Sequence, residues 1–415
     1  MTVFSDSVFN ARAMLCRFRS LGDWLARKLS RVTSSGEFIP EIDGLRFIAI
    51  MTVIFHHLLA SYLINTQRFG PIQLPADWWR LSNQSWVVDI ISRWYFGVHL
   101  FFVISGFILA LPFARKYFTS IRGPDLKSYY LRRVTRIEPP YVFNLVLSFV
   151  LIWIANPGRH AFVPHFIASL FYSHGLVYGE ASWINGVSWS LEVEIQFYLV
   201  VPLLAMVFSV PKTAARRALL VASILFFGLL SQWLIAPSEI GRLKLSLLNN
   251  LQYFLAGFLL ADLYLIGRLN ERKTRYRWDA VVFFSAISIL MILTRYPRIH
   301  YLLPFMVLLF YWAIFLGKIS NKLIRLRPIV LLGGICYTTY LYHNLVIGYL
   351  NRSIIQLSSA ARPLSADFLV HCLIQLPVIF IVCSCLFYFT EKPFMKKWIR
   401  IPMLKKSAGV ASSPA

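Results

Sequence analysis

Runs of about 17–22 mostly apolar residues recur from Leu45 to Thr390, each long enough for a helix to cross a hydrocarbon layer about 30 Å thick. That feature leaves few possible folds. Backbone polar groups inside lipid must be paired within the segment that carries them, which a helix does and a loop does not. The sequence therefore predicts an all-α integral membrane protein of about ten spans. They fall near 45–65, 94–113, 141–156, 188–208, 218–236, 246–266, 280–294, 299–317, 329–350 and 367–390. A hydrophobic share of 58% agrees, since soluble domains hold about half or less.

Charge orients the spans. A net charge of +24 could suggest nucleic acid, but that requires basic residues clustered on a soluble face. Here they sit in short loops. With ten spans and both ends on one side, that side collects 31 Lys and Arg, the other side 10, and Arg46 is the remaining one. The positive-inside rule then puts both termini in the cytoplasm. Residues 161–178 are also apolar, but counting them as a span would scramble every later loop. They are expected to form a re-entrant or interfacial segment.

Three regions follow: a cytoplasmic arm over 1–38, a membrane domain over 39–395 and a basic, disordered tail over 396–415. In the arm, Phe18, Leu21, Leu25, Leu29 and Val32 recur at helical spacing among basic residues, as in a helix lying on anionic lipid. No cleavable signal is evident, so the first span is expected to act as an uncleaved anchor. The five cysteines match neither a disulfide framework nor a metal-ligand spacing.

Four places could carry chemistry. Arg46 opens the first span, and His56 lies about 15 Å deeper, where an ionisable group is costly and commonly functional. An interhelical hydrogen bond would explain the histidine equally well. His57, on another azimuth, reads as structural. In LRRVTRIEPPY, Arg133 and Arg136 share a helix face and suit a phosphate or diphosphate. The simpler reading is a positive-inside stop, with Pro139 and Pro140 breaking the helix. In WSLEVEIQFYLVVP, Glu194 lies about 9 Å below the outer surface, and in GGICYTTYLYHNLV, His343 lies about 21 Å from the cytoplasmic end of its helix. His56, Glu194 and His343 thus fall at similar depths and would share a buried site if their helices are neighbours.

These segments resemble the membrane-bound acyltransferase-3 family, which includes bacterial O-acetyltransferases acting on O-antigen, peptidoglycan and exopolysaccharide. IDGLRFIAIMTVIFHH resembles the opening motif, with Arg46 and His56 at its Arg-ten-His spacing. FGVHLFFVISGF resembles the Phe-Phe-x-x-Ser-Gly-Phe segment, LRRVTRIEPPY the Arg-x-x-Arg motif, and SWSLEVEIQFY the motif that selects Glu194 over Glu192. CYTTYLYHNLV and FYFTEKPF resemble the last two segments, so the likeness runs from about 39 to 395. His99 stands where many members have an acidic residue, and Cys336 where serine is usual.

The resemblance implies an O-acyltransferase of the bacterial inner membrane without an appended esterase-like domain. Its donor would be acyl-CoA, most often acetyl-CoA, bound by Arg46, Arg133 and Arg136, and its acceptor a glycan or lipid-linked saccharide. His56 would be the base or a transient acyl carrier, with Glu194 and His343 orienting it. Ser105, in the Ser-Gly-Phe turn, and Tyr337 would shape the site, and no metal is implied. Trp78, Trp79, Trp86 and Trp94 could stack on sugars, though an aromatic belt at the headgroups is the default. A proton-coupled transporter or flippase is the alternative, but no internal repeat supports it.

Overall fold

The computed structural model describes residue 29 and residues 38–397, apart from 75–76, 120–122, 159, 268–272 and 360. The amphipathic arm expected over 1–38 and the tail expected over 396–415 fall almost wholly outside the described residues. Every regular element among the described residues is helical. The main helices are α1 (Pro40–Thr66), α2 (Gly97–Phe118), α3 (Leu126–Ala155), α4 (Phe162–Leu170), α5 (His174–Tyr178), α6 (Trp189–Leu204) and α7 (Thr213–Leu230). They continue with α8 (Leu251–Ile266), α9 (Tyr276–Thr294), α10 (Leu303–Leu316), α11 (Arg327–Gly334), α12 (Cys336–Ile354) and α13 (Leu364–Leu386).

Together with the short turns that extend them, α1, α2, α3, α6, α7, α9, α10 and α13 supply eight helices long and apolar enough to cross a membrane. The α11–α12 pair, bent by 74°, adds a ninth if it counts as one span. The protein is an all-α multi-pass membrane protein. The expected span at 246–266 becomes α8, of 16 residues, and 14 of those are buried. A helix apolar on every side is one surrounded by protein or lipid, and this one is enclosed by protein. Residues 161–178 form α4 and α5, both too short to cross.

Local sequence explains the helix ends and corrects one expectation. Pro40 sits at the first turn of α1, where its missing N–H costs nothing, with Glu41 and Asp43 beside the positive end of the dipole. Asp125 caps α3 by accepting from Ser128 N at 2.9 Å. Pro139 and Pro140 do not break this helix, which runs unbroken for 30 residues. Neighbouring tyrosines bond carbonyls on either side of the prolines: Tyr337 donates to Ile137 O at 3.0 Å and Tyr342 to Pro140 O at 3.5 Å. These bonds tie the proline-containing stretch of α3 to α12.

The interior divides into two apolar clusters, and α1 feeds both. Leu45, Ala49 and Val53 join a cluster built on α2, α6, α8 and α10. Ile50, Ile54, Leu58 and Tyr62 join a second one built on α3, α12 and α13. Each series repeats every four residues, so the two lie on different faces of one helix. Glycines allow the closest approaches. A Cβ on Gly257 of α8 would stand 2.3 Å from Val103 O of α2, and one on Gly333 of α11 only 1.7 Å from Asp43 O of α1. Elsewhere, Asp262 of α8 is fully buried and held by Arg216 at 2.5 Å and Arg217 at 2.6 Å, both from α7.

Candidate active site

Two imidazoles meet where α1 faces α12. His343, fully buried, places Nδ1 3.0 Å from Thr339 O and 2.8 Å from Tyr340 O. Carbonyls only accept, so this nitrogen carries the proton and Nε2 keeps its lone pair. His343 Nε2 lies 3.0 Å from His57 Nδ1, which is also 3.0 Å from Val53 O. His57 Nδ1 must therefore be the donor to both. The network fixes both tautomers and leaves His57 Nε2 as the unprotonated nitrogen, able to take a proton.

His56 occupies the other side of His57, with ring centroids 5.3 Å apart, while the His57 and His343 rings are 5.0 Å apart. The three imidazoles form a row with His57 in the middle. His56 packs against Trp78 at 5.4 Å and Tyr95 at 6.0 Å, and its Nδ1 is buried without a hydrogen-bond partner. His99 stands on the far side of Tyr95, and its Nδ1 is likewise buried and unpartnered.

Glu194 belongs to a second group. Its Oε1 accepts from Ser105 Oγ at 2.5 Å and from Tyr198 OH at 2.6 Å. Ser105 lies within the continuous helix α2, not in a turn, beside the Gly106 contact with Phe254 of α8. Arg46 pairs with Asp43 at 2.7 Å and is in electrostatic reach of Glu194, Tyr198, Arg136 and Cys336. Arg136 in turn feels Asp43 and Glu391. Arg133 lies over the Tyr129 ring at 4.6 Å, within reach of Tyr198 and Arg136. Glu391 accepts from Thr338 at 2.6 Å, while its Oε1 is buried and unpartnered.

The structure thus brings Arg46, Arg133, Arg136, Glu194, Ser105 and Tyr337 into one polar cluster, linked through Tyr198, Asp43 and Glu391, and His56, His57 and His343 into a row farther along α1 and α12. Glu194 sits with the guanidiniums, not in hydrogen-bond contact with the imidazoles. The sequence reading passed over His57, Tyr198 and Glu391. For His57 a signal existed. Eleven residues after Arg46 is about three full turns, which returns to the same face of α1, whereas His56 lies about 80° away. Read as ten intervening residues, the Arg-ten-His spacing also leads to His57. Among the described residues no group of three or more His, Cys, Asp or Glu is placed to hold a metal ion.

A family model described as an acyltransferase domain matches residues 39–390. The chain is 25% identical over 348 residues to O-acetyltransferase OatA of Staphylococcus aureus, covering 78% of this chain and 53% of that protein. It is 24% identical over 390 residues to the peptidoglycan O-acetyltransferase OatA of Listeria monocytogenes, covering 87% and 56% respectively. The chain spans about half the length of the curated relatives it matches. No solved structure matches.

Proposed function

Because this chain belongs to the acyltransferase-3 family, we propose that it moves an acetyl group from acyl-CoA to a hydroxyl of a cell-wall glycan. Peptidoglycan is the favoured acceptor, since one relative is named for its O-acetylation. The observation that carries the reading is the free Nε2 of His57, held in its tautomer by His343. A base needs a lone pair and a fixed direction, and this pair supplies both.

In the proposed reaction the acceptor hydroxyl gives its proton to His57 Nε2 as its oxygen attacks the thioester carbonyl. The C–S bond then breaks, and the imidazolium returns the proton to the departing CoA thiolate. Charge and protons balance over the cycle. His343 would stabilise the imidazolium by accepting from Nδ1, a positioning role like that of the third member of a hydrolase triad. Arg133, Arg136 and Arg46 would hold the CoA phosphates, a task suited to forked guanidiniums. The bias of 31 basic residues against 10 supports a cytoplasmic entry on the arginine side, in a bacterial inner membrane. No metal enters this scheme.

Two substitutions test it. His57→Ala is expected to lower acetyl transfer at least a hundredfold, the usual scale for a lost general base, with normal membrane levels. His56→Ala is expected to retain most of the activity. Mass spectrometry of wall glycan from each strain reads the outcome. Full acetylation with His57→Ala would refute the base assignment, and loss with His56→Ala alone would return the role to its neighbour.

A further inference from the structure

A second pair of imidazoles lies outside the long spans, in the segment that carries α4 and α5. His174 of α5, fully buried, has Nδ1 3.1 Å from Glu180 O and Nε2 2.7 Å from Nδ1 of His165 on α4. The carbonyl only accepts, so His174 Nδ1 carries the proton and His174 Nε2 accepts from His165. His165 Nε2 is thereby left with its lone pair. It has no partner among the described residues, yet it is not sealed from the surface either. Two aromatic rings flank this imidazole, Trp183 at 3.8 Å and 16° and Tyr178 at 4.2 Å and 29°. Rings so close and so nearly parallel cannot share one face, so His165 is sandwiched between them. Trp183 is 49% exposed and Tyr178 38% exposed. With one face of the indole spent on His165, the other stands open.

The indole is also firmly anchored on both sides. Two residues later, Asn185 donates to Asn144 Oδ1 at 2.7 Å and to Leu341 O at 3.2 Å, and Asn144 donates to the same carbonyl at 3.0 Å. Leu341 precedes His343 by two residues on α12, so the loop that carries Trp183 is pinned to the turn that carries His343. One residue before the indole, Ser182 bonds Ser169 of α4 at 2.6 Å. A tryptophan that only marks the headgroup level needs neither a sandwiched imidazole nor a buried partner fixing that imidazole's tautomer. An open aromatic face next to a fixed acceptor matches a ligand with both apolar faces and hydroxyl donors. A saccharide chain supplies them in succession, the C–H face of one ring for the indole and a hydroxyl of the next for the imidazole.

We propose that Trp183 and His165 form an acceptor-binding subsite for a saccharide chain, with a sugar ring stacked on the indole and a neighbouring hydroxyl donating to His165 Nε2. This rests on the glycan-acceptor reading above and gives the acceptor a seat. The positive-inside rule predicts residues 157–187 on the outer side, where a cell-wall glycan lies. His174 and Tyr178 hold the imidazole in its orientation and do not touch the sugar.

Calorimetric titration of chitopentaose, a soluble amino-sugar oligomer, into purified full-length protein in detergent tests the idea. Trp183→Ala removes the stacking face, and His165→Phe keeps the sandwich but removes the acceptor. Each is expected to weaken affinity about three- to tenfold, the scale of one aromatic contact or one neutral hydrogen bond. Trp183→Tyr restores a ring and should recover most of the loss, which a general disturbance of the loop would not allow. It also carries the comparison should the alanine variant melt early. Unchanged affinity in either Trp183→Ala or His165→Phe would overturn the subsite and leave the glycan reading standing. Unchanged affinity with poorer retention of Trp183→Ala in lipid vesicles would make the indole a headgroup anchor instead. Failure of the wild type to bind the oligomer would overturn the glycan reading, and this subsite with it.

Discussion

At the scale of single residues, the chemistry is set by which nitrogen and oxygen atoms are already occupied. His343 has both ring nitrogens committed, so His57 is the member of the pair left with a lone pair to offer. Glu194 is equally committed, with two hydroxyls donating to one of its oxygens. Glu194→Gln keeps an acceptor in that place, whereas Glu194→Ala strands both donors. The alanine variant is expected to lose about 1–3 kcal/mol and the glutamine variant much less, read as melting midpoints in one detergent. Acceptance of the glutamine variant with loss of acetyl transfer would assign the carboxylate a role through its charge. Depth along a helix was readable from sequence, and it drew attention to His56. Azimuth was readable too, and it sets His57, not His56, on the same face of α1 as Arg46. What the sequence could not supply was the partner, because the His57–His343 bond joins residues 286 positions apart.

At the scale of helices, close backbone contact depends on a few glycines. The α2–α8 crossing brings Gly257 so near Val103 O that any Cβ must push the two backbones apart. Gly257→Val is therefore expected to cost about 1–3 kcal/mol or more, seen as a lower midpoint and less monodisperse protein after extraction. The shift would also reach Ser105, one residue from Gly106 at the same crossing, and through its hydrogen bond Glu194. The long apolar helices were legible because lipid demands unbroken runs. Two features were not. The prolines of α3 read as a stop, since the tyrosine contacts that hold this stretch against α12 come from some 200 residues away. α8 read as an ordinary span, since burial in protein and burial in lipid select the same side chains. The six ordered motifs pointed to Arg46, Arg133, Arg136, Glu194 and Ser105, while their grouping apart from the histidine row emerged from packing.

At the scale of the whole molecule, the basic residues give a topology that can be checked directly. With ten crossings, α8 included, the positive-inside rule predicts both termini and residues 318–328 in the cytoplasm, and residues 237–245 on the opposite side. A membrane-impermeant maleimide should label Glu239→Cys in intact cells, and Lys322→Cys only after permeabilisation. Both side chains are exposed. Reversed labelling would invert the molecule and put the arginine cluster on the wrong side for a cytoplasmic donor.

The ion pairs of Asp262 bear on how this chain is made. An unaccompanied carboxylate is expelled from hydrocarbon, and α8, about 24 Å long, is also short for a segment left alone there. Arg216 and Arg217, on the helix just before it, are already synthesised when Asp262 leaves the ribosome. The two helices are thus suited to leave the translocon as a paired hairpin with the carboxylate already countered, the earlier one escorting the later into the bilayer.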